Sequence, residues 1–195
     1  MHIIPPGQKL VLGSKSPRRQ ELLRKMGLEF EIRTQSVTEN YPADLQGSAI
    51  AEYLAALKSD ALLPTLADDE ILLTSDTVVW CAGKSLEKAA DAEEAYRMIR
   101  QLSGRQHEVI TAVCLQSKNR KEVFSDTVKV YFRELTDAEI HYYIQNFKPY
   151  DKAGAYGIQE WIGMTGITAI EGSFFTVMGL PTHLIFQKLA LFTIH

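Results

Sequence analysis

Asp76 is the only acid inside ILLTSDTVVW, a run from Ile71 to Trp80 whose other members are apolar, β-branched or hydroxylated. Such a run reads as a strand buried on both faces. A carboxylate at its centre needs a partner, because an unpaired buried charge is costly. On residue type alone the partner is a structural cation, a metal ion, or a substrate from which Asp76 takes a proton. A second stretch, LVLGSKSPRRQELL from Leu10 to Leu23, runs an apolar strand into Gly13, Ser14, Lys15 and Ser16, and then into a helix that opens at Pro17. Ser16 suits the cap, and Pro17 the first helical position. Arg18 and Arg19 place two cations at the positive end of the helix dipole, which favours an anion there.

Ser14, Arg18, Arg19, Glu39, Lys58, Asp76, Lys88, Lys152, Gln159 and Glu160 are the polar residues in distinctive places, and the set is cationic with a few acids. Lysines and arginines can hold phosphates while carboxylates hold a hard cation and position water, so the mixture suits a magnesium-dependent site for a polyphosphate. Zinc is disfavoured: there is no HExxH and no CxxC, and the five histidines, His2, His107, His141, His183 and His195, are scattered and read as structural or exposed. GSKSPRR lacks the spacing of a Walker motif, and no GxSxG elbow is present.

Elements that would position these residues follow from periodicity. LEFEIR alternates Leu28, Phe30 and Ile32 as a strand beside the first, and a helix from about Ser48 to Leu63 carries Ile50, Tyr53, Leu54, Leu57 and Ala61 on one apolar stripe. Ala82-Gly83 reads as a hairpin turn. Asp91 with Glu94 and Thr136 with Glu139 read as capping boxes for two further helices, the first with Ala95, Met98, Ile99 and Leu102 inward, the second with Ile140, Tyr143, Ile144 and Phe147. HEVITAVCLQ and VFSDTVKVYF are two strands joined by SKNRKE. YDKAGAYGIQEWIGMTG shows no helical period and reads as a Gly-rich connection fit for close approach to a ligand. A strand, an aromatic turn and a last helix ending near Phe192 close the chain. Five helices interleaved with strands give an α/β fold with a mixed sheet, in one domain over 1–195.

Hydrophobic residues make up 46% and charged residues 23% of the 195, with a formal net charge of −3, which argues against bulk nucleic-acid binding. Cys81 and Cys114 lie in apolar runs and read as buried free thiols of a reducing compartment. No basic leader or membrane-length apolar run is present, so the expected location is the cytoplasm, away from membranes.

Taken together, GSKSPRRQELL, SDTVV, LSGRQHEVITAV, DKAGAYGIQ and VMGLP occur in the order found in the Maf family of nucleoside triphosphate pyrophosphatases, which the chain resembles over nearly its whole length. The resemblance implies an α/β fold with a mixed sheet, flanking helices and a deep cleft, and metal-dependent hydrolysis of a nucleoside triphosphate to the monophosphate and pyrophosphate with Mg²⁺ or Mn²⁺. It implies Asp76 as the catalytic acid-base residue; Arg18, Thr77 and Gln159 as determinants of base preference, of the types found in the dTTP/UTP branch; and Ser14, Arg18, Arg19, Lys58, Lys88 and Lys152 around the phosphates. Glu39 joins Asp76 at the metal, and a homodimer is the protein partner it leaves open. Two departures stand out: Glu87-Lys88-Ala89 where relatives read GKP, and Gly172-Ser173-Phe174-Phe175 where relatives read GDYY. Rival readings are a 7-methyl-GTP or inosine triphosphate pyrophosphatase, and a nucleotide-binding regulator of septum formation.

If Asp76 is the base, Asp76→Asn lowers turnover by at least about two orders of magnitude with an unchanged circular dichroism spectrum. Normal turnover in that variant sinks the assignment.

Overall fold

The computed structural model describes residues 3–192; His2 and His195 lie outside them. The elements are β1 (Lys9–Leu12), α1 (Pro17–Lys25), β2 (Glu31–Ile32), α2 (Ser48–Leu62), β3 (Glu70–Cys81), β4 (Lys84–Leu86), α3 (Ala92–Leu102), β5 (Gln106–Gln116), β6 (Lys121–Phe132), α4 (Asp137–Phe147), α5 (Trp161–Gly166), β7 (Ile167–Glu171), α6 (Phe174–Met178) and α7 (Thr182–Ala190). The strands form one mixed α/β sheet in the order β2-β1-β3-β5-β6-β7, with β4 paired to β3.

The chain divides into two compact units, Met1–Asp76 with Thr111–Asp126 and Gly179–His195, and Thr77–Ile110 with Thr127–Met178. In the first, β1 pairs in parallel with β3 from Lys9↔Glu70 to Leu12↔Leu73. Ile71, Leu72 and Leu73 are completely buried, as expected for a strand covered on both faces. Val11, Leu62, Leu66 and Leu72 form one of its apolar clusters. Alternation predicts a longer β2 than is found: only Val11↔Glu31 and Leu12↔Ile32 pair, and both residues of this edge strand are exposed.

The second unit is built on a larger cluster that includes Val79, Met98, Ile99, Leu102, Val130, Ile140 and Tyr143. Here β3 turns back into β4 through Ala82 and Gly83, both at positive φ (50° and 78°), as a tight hairpin demands. The faces of α3 and α4 are those the periodicity predicts. Thr136 and Glu139 complete a reciprocal capping box; Asp91 caps α3 through the Glu94 N–H, but Glu94 returns its carboxylate to Ala90 N–H, one residue earlier.

Three further regions differ from the pattern reading. The buried face of α2 is Ile50, Ala51, Leu54, Ala55, Ser59 and Leu62, rotated away from Tyr53, Leu57 and Ala61. Its small residues let the helix backbone reach β3, where Ala55 O accepts from Thr74 Oγ1 at 2.7 Å. The segment after Pro149 is not a surface connection: Gly154 to Ile158 are buried, Gly154 N–H donates to Leu86 O and Glu87 O, and the short helix α5 follows. The aromatic turn is likewise the short helix α6. Among the described residues no helix is long and apolar enough to cross a membrane.

Gly13 ends β1 with its N–H on Leu73 O (2.8 Å), and a Cβ there would lie 2.5 Å from Thr74 Cγ2 and 3.0 Å from Leu62 Cδ1. Thr74 is tethered to Ala55 and cannot yield cheaply. Gly13→Ala is therefore expected to cost about 1–3 kcal/mol, read as a lower urea midpoint at constant slope.

Candidate active site

β1 leaves β3 after Leu73, and β4 joins it only at Val79, so Asp76 stands where β3 has neither partner. Its residue exposure is 8%, and its Oδ1 accepts from Lys58 Nζ at 2.5 Å. The close approach of α2 to β3 delivers Lys58 to this point. Lys58 also pairs with Glu39 Oε1 at 3.0 Å, and Glu39 lies in the irregular stretch 33–47. One ammonium thus holds two carboxylates, both oxygen donors of the kind a hard divalent cation uses. Among the described residues no group of three or more His, Cys, Asp or Glu converges on a metal position. Two carboxylates with substrate phosphates and water match the way magnesium is usually held, so Asp76 and Glu39 fit the cation that the sequence suggests.

Arg19 takes a part that its sequence position did not show. Its Nη1 donates to Ser75 O at 2.7 Å and its Nε to Gly179 O at 3.0 Å, while Ser14 Oγ lies 3.5 Å from Nη1. Ser75 Oγ donates to the same Gly179 carbonyl at 3.3 Å. Burial draws the Arg19 pKa down and the Asp76 charge opposes this; an arginine remains charged throughout. The guanidinium therefore clamps the backbone beside Asp76 to the residue that opens the final segment. Ser16 makes no side-chain cap; instead Ser14 Oγ accepts the Ser16 N–H at 3.2 Å. Arg18 and Ser14 are half-buried at the start of α1 and the turn before it.

Thr77, Lys88, Lys152 and Gln159 belong to the second unit. Thr77 is half-buried on β3 and Gln159 exposed; Lys88 is exposed and bridges backbone to backbone with Ala153. Lys152 is buried, with Nζ on Asp151 Oδ1 (2.7 Å) and Glu160 Oε1 (3.0 Å). Tyr143, which helical spacing assigns to the core face of α4, also hydrogen-bonds Glu160. Its hydroxyl could not be told from packing by pattern alone. His107 is buried with Nε2 2.7 Å from the Tyr156 hydroxyl, and burial lowers its pKa to about 4.

The sequence profile described as "Maf-like protein" matches residues 9–192. The chain belongs to the Maf-like family. A "dTTP/UTP pyrophosphatase" of Flavobacterium johnsoniae is 48% identical over 181 residues, covering 93% of both chains. Another protein of that description, from Parabacteroides distasonis, is 48% identical over 182 residues, covering 93% of this chain and 94% of its own. Among solved structures, the Ham1 protein of Staphylococcus aureus aligns over 64% of this Maf-like chain and 72% of its own, with a TM-score of 0.48 and 14% identity.

Because Arg19 donates from Nε and Nη1 to the main-chain carbonyls of Gly179 and Ser75, Arg19→Lys is expected to lose about 1–3 kcal/mol of stability, measured by thermal unfolding. A raised nucleotide KM with no loss of stability would assign Arg19 to the phosphates and not to the clamp.

Proposed function

We propose that this Maf-like protein hydrolyses nucleoside triphosphates, dTTP and UTP foremost, to the nucleoside monophosphate and pyrophosphate. The observation that carries the reading is the buried Asp76 carboxylate held by Lys58, with Glu39 on the same ammonium. Full-length relatives described as dTTP/UTP pyrophosphatases support the substrate. A bound magnesium or manganese ion, held by Asp76 and Glu39, supplies charge neutralisation at the phosphates.

The chain's own residues do the rest. Asp76 orients a water and takes its proton as the oxygen attacks the α-phosphorus; the bond from that phosphorus to the bridging oxygen breaks, and pyrophosphate leaves with the electron pair. Charge gathers on the leaving group, and the cations assigned to it are Lys58, Lys88, Lys152 and Arg18, with Ser14 as a neutral donor. Arg18, Thr77 and Gln159 are the proposed determinants of the base. Arg19 is assigned a place beside the phosphates in addition to its clamp on Ser75 O and Gly179 O. Two free, buried thiols, Cys81 and Cys114, agree with a cytoplasmic setting.

The test is product release from dTTP, UTP, CTP, ATP, GTP, 7-methyl-GTP and ITP with magnesium or manganese, scoring pyrophosphate separately from phosphate. Pyrophosphate from dTTP and UTP above the other nucleotides is the expected result. Preference for 7-methyl-GTP or ITP would overturn the pyrimidine assignment, and binding without turnover would favour a regulator.

A further inference from the structure

Four groups of the second unit form a polar chain, and of these the assigned roles use only Lys152. Gly157 N–H donates to the Tyr143 hydroxyl at 3.0 Å. That hydroxyl donates to Glu160 Oε2 in a short hydrogen bond, and Glu160 turns its other oxygen, Oε1, to Lys152 Nζ at 3.0 Å. Tyr143 is fully buried and stacks on Phe147 with ring centroids 5.1 Å apart, so the start of the chain is rigid. Both charged side chains pass directly over Gly157: a Cβ there would lie 2.9 Å from Glu160 Cδ and 3.1 Å from Lys152 Cε. Each carboxylate oxygen has one partner in this chain, which fixes the plane of the carboxylate and with it the place of the ammonium.

From this geometry we propose that Tyr143 and Glu160 are positioning residues, which hold the Lys152 ammonium ready for the phosphates of the substrate. The proposal rests on the reading of Lys152 as a phosphate contact. A lysine ends in a flexible four-carbon stem, and fixing it beforehand removes an ordering cost from binding. Among the described residues, two of its three N–H groups are taken, by Glu160 and Asp151, which leaves one for an anion. The tyrosine hydroxyl draws on the charge of Glu160. Asp151, with its side chain 61% exposed, faces water that screens its pull on the ammonium.

The test is a double-mutant cycle on the full chain, with Tyr143→Phe, Lys152→Met and both together, measuring kcat and KM for pyrophosphate release from dTTP with magnesium. Lys152→Met is expected to raise KM about tenfold and Tyr143→Phe several-fold, the usual scale for a hydrogen bond to a charged group. The double variant should match Lys152→Met alone, because the tyrosine acts through the lysine. A KM unchanged by Tyr143→Phe while Lys152→Met raises it overturns the proposal, and so do effects that multiply. An unchanged KM in Lys152→Met overturns the phosphate reading itself. Should Tyr143→Phe fail to fold, Glu160→Gln takes its place: the amide keeps an acceptor for Tyr143 and removes the charge facing Lys152, and the same outcomes decide.

Discussion

An ammonium and a carboxylate 2.5 Å apart, both largely withdrawn from water, set the terms for the rest of the first unit. Either charge alone at that depth would be strongly destabilising, and removing one partner of such a pair typically costs about 3–5 kcal/mol. The fold must therefore bring α2 close enough to β3 for Lys58 to reach Asp76. It does so with small residues: Ala51, Ala55 and Ser59 face inward, the Thr74 hydroxyl reaches the α2 backbone, and Ser59 Oγ donates to Gln116 Oε1 at 2.5 Å. Gly13 leaves room for Thr74 on the other side. Packing at the level of single methyl groups thus serves one ion pair.

The polar groups beside this pair are mostly spent on backbone. Arg19 has the charge and position of an anion ligand, and its hydrogen bonds also make it a cross-brace between Ser75 and Gly179. In the second unit a tyrosine hydroxyl and a glutamate do for Lys152 what a carbonyl pair does for Arg19. Arg19 and Lys152 are thus held by other polar groups, which follows from their withdrawal from water: a donor or acceptor out of water needs a partner.

Much of this was legible in the sequence because several signals agree at once. For α3 and α4, periodicity and cap residues point the same way, and both helices have the predicted faces. The hairpin between β5 and β6 has the expected polar turn, with Ser117 N–H on Arg120 O. Where one signal stood alone it misled. Hydrophobic spacing put Tyr53 and Leu57 at the centre of the α2 face, but tight helix-to-strand contact favours Ala and Ser over larger apolar residues. Alternation alone gave a longer β2, although this edge strand pairs over two residues only and both are exposed. Glycine content marked 150–166 as a connection fit for close approach to a ligand, whereas Gly154 to Ile158 are buried and the glycines admit this chain's own side chains and backbone at close quarters. In the site, Asp76 stood out as an acid in an apolar run, while the partnerships of Arg19 and Tyr143 span long sequence separations that no local pattern records.

The brace from Arg19 to Gly179 joins residues 160 positions apart. During synthesis the ribosome must finish almost the whole chain before that contact can form, by which time β1, α1, α2 and β3 have long since emerged. The surroundings of Asp76 are thus assembled late. A nascent chain released before residue 179 would carry Asp76 and its strand but lack the acceptor that ties the first helix to the last segment.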